Sequence, residues 1–403
     1  GKLIQPVLII AGLWLFSFIA GGSPSVLRSA VMFTCVVIGA YLNRKTSIYN
    51  SLAASAFLLL CYNPFWLWDA GFQLSYTAVL SLAIFYKPIY NLLFVPNKLL
   101  DLLWKSISVT LAAQILTVPV SVYLFHQFPN LFLLANLLAV PLSSLIIIGE
   151  IILCVAGAFP LIASGIGYLL HYTIYWLNTF IEQVGSLPYA TMANLQINEA
   201  QLGCLYVFIS AMAWWLLNNK RQGALLSLSA LLSFIVFRTI DIWHTGQQKK
   251  LIVYNIPRHS AIDVMVGKKY FFKGDSLLQH NDLLQKFHLQ PCRLLHRVIN
   301  SFNPGNILVE KNFFRFGNTS FLLFDAPLNV SGFYPNTPID IIILSNNPPI
   351  QIAQLTGAFQ CHHFVFDASN PAWKVAQWQQ ECAQLGLAAF SVADKGAFVF
   401  NLY

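Results

Sequence analysis

The sequence predicts a polytopic α-helical membrane protein of about nine spans followed by a soluble α/β domain. Two observations carry most of the weight. The 403-residue chain is 57% hydrophobic and only 9% charged, whereas an ordinary soluble domain carries about 25% charged residues. The apolar excess is also uneven. Residues 1–243 are almost entirely lipid-compatible runs, and residues 244–403 return to the composition of a soluble domain. A third observation is the alternating strand pattern of the tail.

Each span follows from an apolar run of roughly 20 residues. The runs fall at 5–21, 24–42, 47–62, 70–86, 106–125, 131–158, 161–184, 202–217 and 224–241. The run 47–62 is short. The run 131–158 is too long for one straight crossing, and Pro141 within it predicts a kink or break. The run 161–184 carries His171, Asn178 and Glu182 beside Tyr172, Tyr175 and Trp176, a mixture that also suits a helix lying along the interface. Between Tyr86 and Lys105, leucines accompany Lys87, Lys98 and Lys105, predicting a cytoplasmic amphipathic helix on anionic lipid.

Charge placement orients the spans. One side receives Lys2, Arg44, Lys45, Lys87, Lys98, Lys105, Lys220 and Arg221. The opposite loops, near 63–69, 126–130 and 185–201, contain no lysine or arginine. The first side is therefore predicted to face the cytoplasm, and an odd number of spans places the tail on the outer side. Arg28 and Arg238 are exceptions near outer ends. The start, Gly1-Lys2-Leu3-Ile4, has neither Met nor a signal peptide, so an earlier part of a longer protein is expected.

Several polar residues interrupt the apolar runs. Asp69 and Gln73 stand four residues apart and share one helix face. Either they mark a polar path through the membrane, or Asp69 caps a helix whose first N–H groups are free. Arg28 lies one turn into a helix opened by Ser23 and Pro24. It either snorkels to headgroups, contacts phosphate, or pairs with Asp69 on the same side. Gln114 and Thr117 share a face, and Asn136 precedes Pro141; all three are pore-lining candidates or interhelical glue. Glu150, a lone carboxylate in an apolar run, must be neutral, paired or wet.

These residues belong to a series of motifs: Gly22-Ser-Pro-Ser-Val-Leu-Arg28, Asn63-Pro64 with Asp69-Ala-Gly-Phe-Gln-Leu-Ser75, Gln114 with Pro119, and Phe125-His-Gln-Phe128 leading to Leu134-Ala-Asn-Leu-Leu-Ala-Val-Pro-Leu142. In order and spacing the series resembles the competence region of ComEC-family proteins over most of residues 10–155, and the tail looks most like Bacteroidetes-type members. The resemblance implies an inner-membrane channel that imports single-stranded DNA during natural transformation. It implies membrane lipid, a DNA receptor and a cytoplasmic single-stranded-DNA motor or binding protein as partners, and it permits a homo-oligomer. No P-loop run G-x-x-x-x-G-K-[ST] occurs here, so the motor is expected to be a separate protein.

Many relatives in that family end in a metallo-β-lactamase-like domain, and the tail has a compatible strand order. Strands are predicted at 251–256, 261–266, 269–272, 313–316, 320–324, 339–344 and 397–401, with a hairpin turn at Gly317-Asn318 and a helix over 373–385. In an active domain of that fold the strand equivalent to 339–344 leads into His-x-His-x-Asp-His, which holds two metal ions. This chain reads Ser345-Asn-Asn-Pro-Pro-Ile350, with no good ligand among them. No catalytic residue, metal or cofactor is therefore expected. Cys361-His-His363 is the only tight cluster, and alternation along a strand lets at most Cys361 and His363 converge. A Cys361–Cys382 disulfide is allowed by sequence without a pattern to support it.

Basic residues outnumber acids between Lys249 and Arg315. Lys268, Lys269, Lys273, Arg293 and Arg297 form the candidate DNA-binding face, with a merely solvated basic surface as the alternative. Two other functions remain compatible with the sequence: a membrane-bound nuclease or hydrolase with a relocated metal site, and a transporter of another anionic substrate.

Overall fold

The computed structural model describes residues 4–22, 24–41, 47–280, 282–298, 300–301, 308–310, 312–316, 319–325, 337–361 and 363–402. Expectations placed on Lys2, Ser23, Arg44, Lys45, Gly317, Asn318 and His362 lie outside them. The chain divides into two compact units, Gly1–Phe237 and Arg238–Tyr403.

The first unit is helical: α1 (Ile4–Ile19), α2 (Pro24–Tyr41), α3 (Ile48–Tyr62), α4 (Ala70–Tyr90), α5 (Lys98–Phe125), α6 (Phe132–Ala156), α7 (Pro160–Ser186), α8 (Glu199–Asn218) and α9 (Arg221–Gln247), whose last turns belong to the second unit. A short 3-10 turn, Pro64–Trp68, precedes α4. Each predicted apolar run contains a helix, but only α5, α6, α8 and α9 are, among the described residues, long and apolar enough to cross a membrane. For α1 and α3 the limit is length, whereas α4 and α7, with 21 and 27 residues, fall short in apolarity. At 1.5 Å per residue, the 16 residues of α1 and the 15 of α3 rise about 22–24 Å, short of a hydrocarbon core about 30 Å thick.

Two expectations change. The segment after Tyr86 is not a separate amphipathic helix: α4 runs on to Tyr90, and Lys98 already opens α5, capped by the Asn97 side chain on the Leu99 N–H at 2.9 Å. The first turns of α5 are tied back to the end of α4. The Tyr90 hydroxyl donates to Asp101 at 2.7 Å, Trp104 Nε1 donates to the Tyr90 carbonyl at 2.8 Å, and Asp101 pairs with Lys105 at 2.8 Å. Pro141 does not break its helix either; α6 is continuous through it, and the Ser143 and Ser144 hydroxyls donate to the Val140 carbonyl at 3.0 and 2.9 Å. Between helices, β1 (Phe128–Pro129) pairs antiparallel with β2 (Thr191–Met192), which joins two of the loops that lack lysine and arginine.

The second unit has four layers. A five-stranded sheet, in the order β15-β3-β4-β5-β6, contains β3 (Lys249–Val253), β4 (Ala261–Val266), β5 (Lys269–Gly274), β6 (Asn300–Ser301) and β15 (Phe398–Asn401). A six-stranded sheet, in the order β14-β13-β11-β9-β8-β7, contains β7 (Leu308–Glu310), β8 (Phe313–Phe316), β9 (Thr319–Phe324), β11 (Ile341–Leu344), β13 (His363–Phe366) and β14 (Ala388–Ser391). In it β9, β11, β13 and β14 run parallel, and β7, β8 and β9 are antiparallel. A small pair, β10 (Thr337–Pro338) with β12 (Phe359–Gln360), stands apart.

Alternation along the strands builds the layers. Leu251, Val253 and Val264 of one sheet meet Phe321, Leu323, Ile341 and Ile343 of the other in a core between the sheets. The alternate residues Leu322, Phe324, Ile342 and Leu344 turn outward under α13 (Ile352–Ala358) and α14 (Ala372–Gln384), around the buried Trp378. On the far side Ile252, Tyr254 and Met265 are covered by α10 (Ser276–His280), α11 (Asp282–Leu284), a π turn Gln285–Leu289 and α12 (Gln290–Leu295). The last helix, α15 (Val392–Lys395), follows β14. The parallel strands read as unbroken apolar runs because both their faces are covered.

Candidate functional site

In the helical unit the Asp69–Ser75 motif folds as a helix start. Asp69 is the N-cap of α4, and its Oδ1 accepts the Phe72 N–H at 2.8 Å. The same oxygen accepts from Arg28 of α2 at 2.9 Å. Snorkelling of Arg28 is thereby corrected: its side chain is only 7% exposed, against 42% for Asp69. Its guanidinium lies on Gly71, where a Cβ would come within 2.7 Å of the second terminal nitrogen. A glycine two residues after the cap is what lets a buried arginine reach the cap carboxylate. Arg28 Nε is buried with no hydrogen-bond partner among the described residues. One turn further along α4, the Tyr76 hydroxyl bonds to Ser55 of α3 at 3.1 Å.

The other predicted path residues do not join this pair. Gln73 spends its amide on the Leu67 carbonyl at 2.9 Å, bracing the 3-10 turn against α4. Gln114 and Thr117 meet as the spacing predicts, with the Thr117 hydroxyl 3.4 Å from Gln114 Oε1, but that hydroxyl is nearer the Ala113 carbonyl, at 3.0 Å. Asn136 is half-buried on α6, and Glu150 of the same helix is exposed. A position that the sequence did not single out is Ser81. Its hydroxyl, fully buried, donates to the Ala112 carbonyl and accepts the Leu116 N–H at 3.1 Å, so it sits inside the backbone ladder of α5. The Tyr206 hydroxyl of α8 donates to the Leu116 carbonyl at 3.0 Å, and Pro119 follows in the same helix.

In the α/β unit the candidate basic face is smaller than the sequence implies. Arg293 is a correction: it is buried, with Nε and a terminal nitrogen on the two oxygens of Asp263 at 2.8 and 3.0 Å. Asp263 is completely buried and also accepts from the Tyr254 hydroxyl at 2.7 Å. Burial, then the Asp263 charge, pushes the Tyr254 hydroxyl far above its ordinary pKa. Burial works to lower the Arg293 pKa, but the bonds to Asp263 outweigh it and the guanidinium is held above its usual value. Arg297 pairs with Asp241 at 3.0 Å. Lys268 and Lys269 are exposed at the start of β5, and Lys273 is half-buried on it.

The carboxyl ends of the parallel strands are where an open α/β sheet places ligands. Here Ser345 follows β11 and donates to Asp367 Oδ2 at 2.5 Å; Ser260 lies 3.2 Å from Ser345. Ser369 and Asn370 both donate to Asp367 Oδ1. Ser369 and Asn370 in turn accept the backbone N–H groups of Asn346 and Asn347, at 2.6 and 2.9 Å, which hold those two residues in the left-handed region. Burial pushes the Asp367 carboxyl above the ordinary carboxylate range. These donors are hydroxyls and amides engaged with one another, and among the described residues no three His, Cys, Asp or Glu side chains gather as a metal site. A lactamase-type pair of metal ions does not fit this donor set. Cys361 is buried, with its thiol on the His363 carbonyl at 3.4 Å, and His363 is exposed. Cys361 and Cys382 are free thiols, each pushed up to about 11 by burial.

Residues 1–221 match the family described as competence protein. The chain belongs to the ComEC family. Residues 251–402 of this ComEC-family chain match the ComEC C-terminal domain, which covers nearly all of the α/β unit. The chain is similar to ComE operon protein 3 of Bacillus subtilis (strain 168), with 28% identity over 191 residues, 46% of this chain and 23% of that protein. The chain therefore spans less than a quarter of the length of the curated relative it matches. No solved structure matches it.

Within the ComEC competence region, sequence reading found Arg28 and Asp69 but missed the glycine between their charges. The signal was present in the Asp69-Ala-Gly71 run, since a glycine in a first helical turn costs helix propensity and needs a steric reason. Ser81 offered no signal. A serine in an apolar helix ordinarily bonds back to its own backbone, and only the α4–α5 packing shows that it bonds across.

Proposed function

We propose that this ComEC-family chain forms part of the bacterial inner-membrane channel through which single-stranded DNA enters during natural transformation. The observation that carries the reading is Arg28, buried among apolar helices and paired with the partly exposed Asp69, within the region that matches the competence family. Ionised groups in such surroundings are costly and mark pathways for charged or polar cargo more often than they serve stability. In this reading Arg28 and Asp69 stand at the mouth of the polar path, and Gln73, Gln114, Asn136 and Glu150 line or brace it. In the same reading about nine spans, some of them short, cross the membrane and the α/β unit lies on the outer side, which the lysine and arginine distribution supports. Lipid, a DNA receptor and a cytoplasmic single-stranded-DNA motor or binding protein are the partners, and a homo-oligomer is compatible with it.

The α/β unit is read as a degenerate metallo-β-lactamase-like domain without nuclease activity. Support comes from its four layers and from the serine and asparagine side chains at its strand ends. Two experiments test the whole. Cells carrying the full-length protein with Arg28→Met or Asp69→Asn should lose transformation by at least an order of magnitude; undiminished transformation in both overturns the path. The purified protein incubated with DNA and Mn²⁺ or Zn²⁺ should release no nucleotides, and release that depends on the metal overturns the silent-domain reading.

A further inference from the structure

We propose that the cavity between β5 and the α10–α12 layer is a nucleobase site for single-stranded DNA, an inference that rests on the DNA-uptake reading and deepens it. The cavity holds about 530 Å³, within the range of small-molecule sites. Tyr270 and Phe272 supply its aromatic wall, both from the same face of β5. The Arg293 guanidinium lies 3.8 Å from the centre of the Tyr270 ring and 5.3 Å from that of Phe272. Its two bonds to Asp263 fix that plane before any ligand arrives.

The electrostatics select the part of the ligand that enters. Asp263 neutralises Arg293, so the described residues that line the cavity supply no free cation to draw a phosphate inward. It offers instead flat rings and a stacked guanidinium, surfaces on which any base stacks. Gln279, Gln285 and Ser301 line the same cavity with donors and acceptors for a base edge. Gln285 gives its N–H to the Gln279 carbonyl at 2.7 Å, which orients its amide oxygen as an acceptor. Lys269 and Lys273 alternate with Tyr270 and Phe272 on β5 and so start from its opposite face, in register with Val266 and Ile262, while exposed Lys268 stands in the turn before the strand. A single strand would place a base on the aromatic wall and leave its phosphates outside the cavity, in solvent. Duplex DNA, with its bases stacked and paired, presents nothing to the cavity.

The test uses the full chain in lipid nanodiscs, with fluorescent oligothymidylate and an abasic oligonucleotide of equal length as probes. Oligothymidylate should bind about tenfold more tightly than the abasic strand, since one base–aromatic stack is lost. Tyr270→Leu should remove that difference and Gln285→Ala should narrow it, with abasic binding unchanged in both. A thymidylate strand carrying 4-thiothymidine should photocrosslink to wild-type Tyr270 or Phe272, a readout independent of how well the variants fold. Equal binding of the two strands, or crosslinks confined to other segments, overturns the proposal. A chain required for transformation whose crosslinks fall elsewhere defeats the nucleobase site alone. A chain dispensable for transformation defeats the uptake reading, whatever the crosslinks show.

Discussion

Asp69→Asn isolates the charge of the Arg28–Asp69 pair. One oxygen of Asp69 serves two donors, Arg28 at 2.9 Å and the Phe72 N–H at 2.8 Å. Asparagine caps a helix about as well as aspartate, so the substitution keeps the cap and removes the negative charge. Removing one partner of a fully buried pair costs about 3–5 kcal/mol, and an exposed pair is worth about 0–1 kcal/mol. Arg28 is 7% exposed and Asp69 42%, so the cost should fall between, near 1–3 kcal/mol. Asp69→Ala loses the cap as well and should cost about 1 kcal/mol more. With Arg28→Met there is no cation left to strand, and Asp69→Asn should then cost less than about 0.5 kcal/mol. Equilibrium unfolding of the four proteins in mixed micelles gives the coupling directly. A cost for Asp69→Asn that is the same with and without Arg28 would refute the reasoning, because the pair would then contribute nothing as a pair.

The remaining expectations use the same kind of measurement. Gly71→Ala places a methyl 2.7 Å from an Arg28 nitrogen and 3.2 Å from the Asp69 oxygen; it should destabilise by about 1–3 kcal/mol, with most of the loss relieved by Arg28→Met. Arg293→Ala leaves the fully buried Asp263 unpaired and should cost about 3–5 kcal/mol, much of it recovered when Asp263→Leu is added. Asp367 carries a raised carboxyl pKa, so its contribution to stability is fully present below the unfolded value and is lost as pH rises through the folded one. Asp367→Asn should therefore gain on the wild type between pH 4 and pH 7 in thermal melts, and parallel melting curves across that range would contradict the assigned cause.

How far the sequence reveals the fold depends on where the information lies. The apolar runs locate α1 to α9 because lipid-compatible length is written locally. The inner strands β9 and β11 are equally legible, as apolar runs too short for buried helices. The extent of α5 was not legible. Lys98, Asp101 and Lys105 read as an interfacial segment, yet the cap at Asn97 and the ties from Tyr90 and Trp104 make them the first turns of one long helix. Arg293 was misplaced for a related reason. A basic residue among basic residues reads as surface, and only the return of β4 past α12 brings the buried Asp263 to it. Charges are visible in a sequence, whereas their partners, 30 or 41 residues away in these two pairs, are not.

The polar side chains of the helical unit divide by what already holds them. Gln73, Thr117 and Ser81 are spent on backbone carbonyls or on the α5 ladder, and a group so engaged stiffens a helix contact without being free to meet cargo. Arg28 is different. Its pair with Asp69 uses one terminal nitrogen, its Nε is left without a partner among the described residues, and Gly71 keeps its guanidinium uncovered by a side chain. A buried cation whose Nε has no partner among the described residues can exchange a carboxylate for another oxyanion without first breaking helix structure, because Asp69 retains the Phe72 N–H when Arg28 leaves. A phosphate is the oxyanion that a DNA strand would bring. Glu150 is exposed on α6 and offers no such exchange: a carboxylate repels phosphate, so any part it has in a DNA path depends on a cation beside it. The burden of the proposed path therefore falls unevenly, on the α2–α4 contact first.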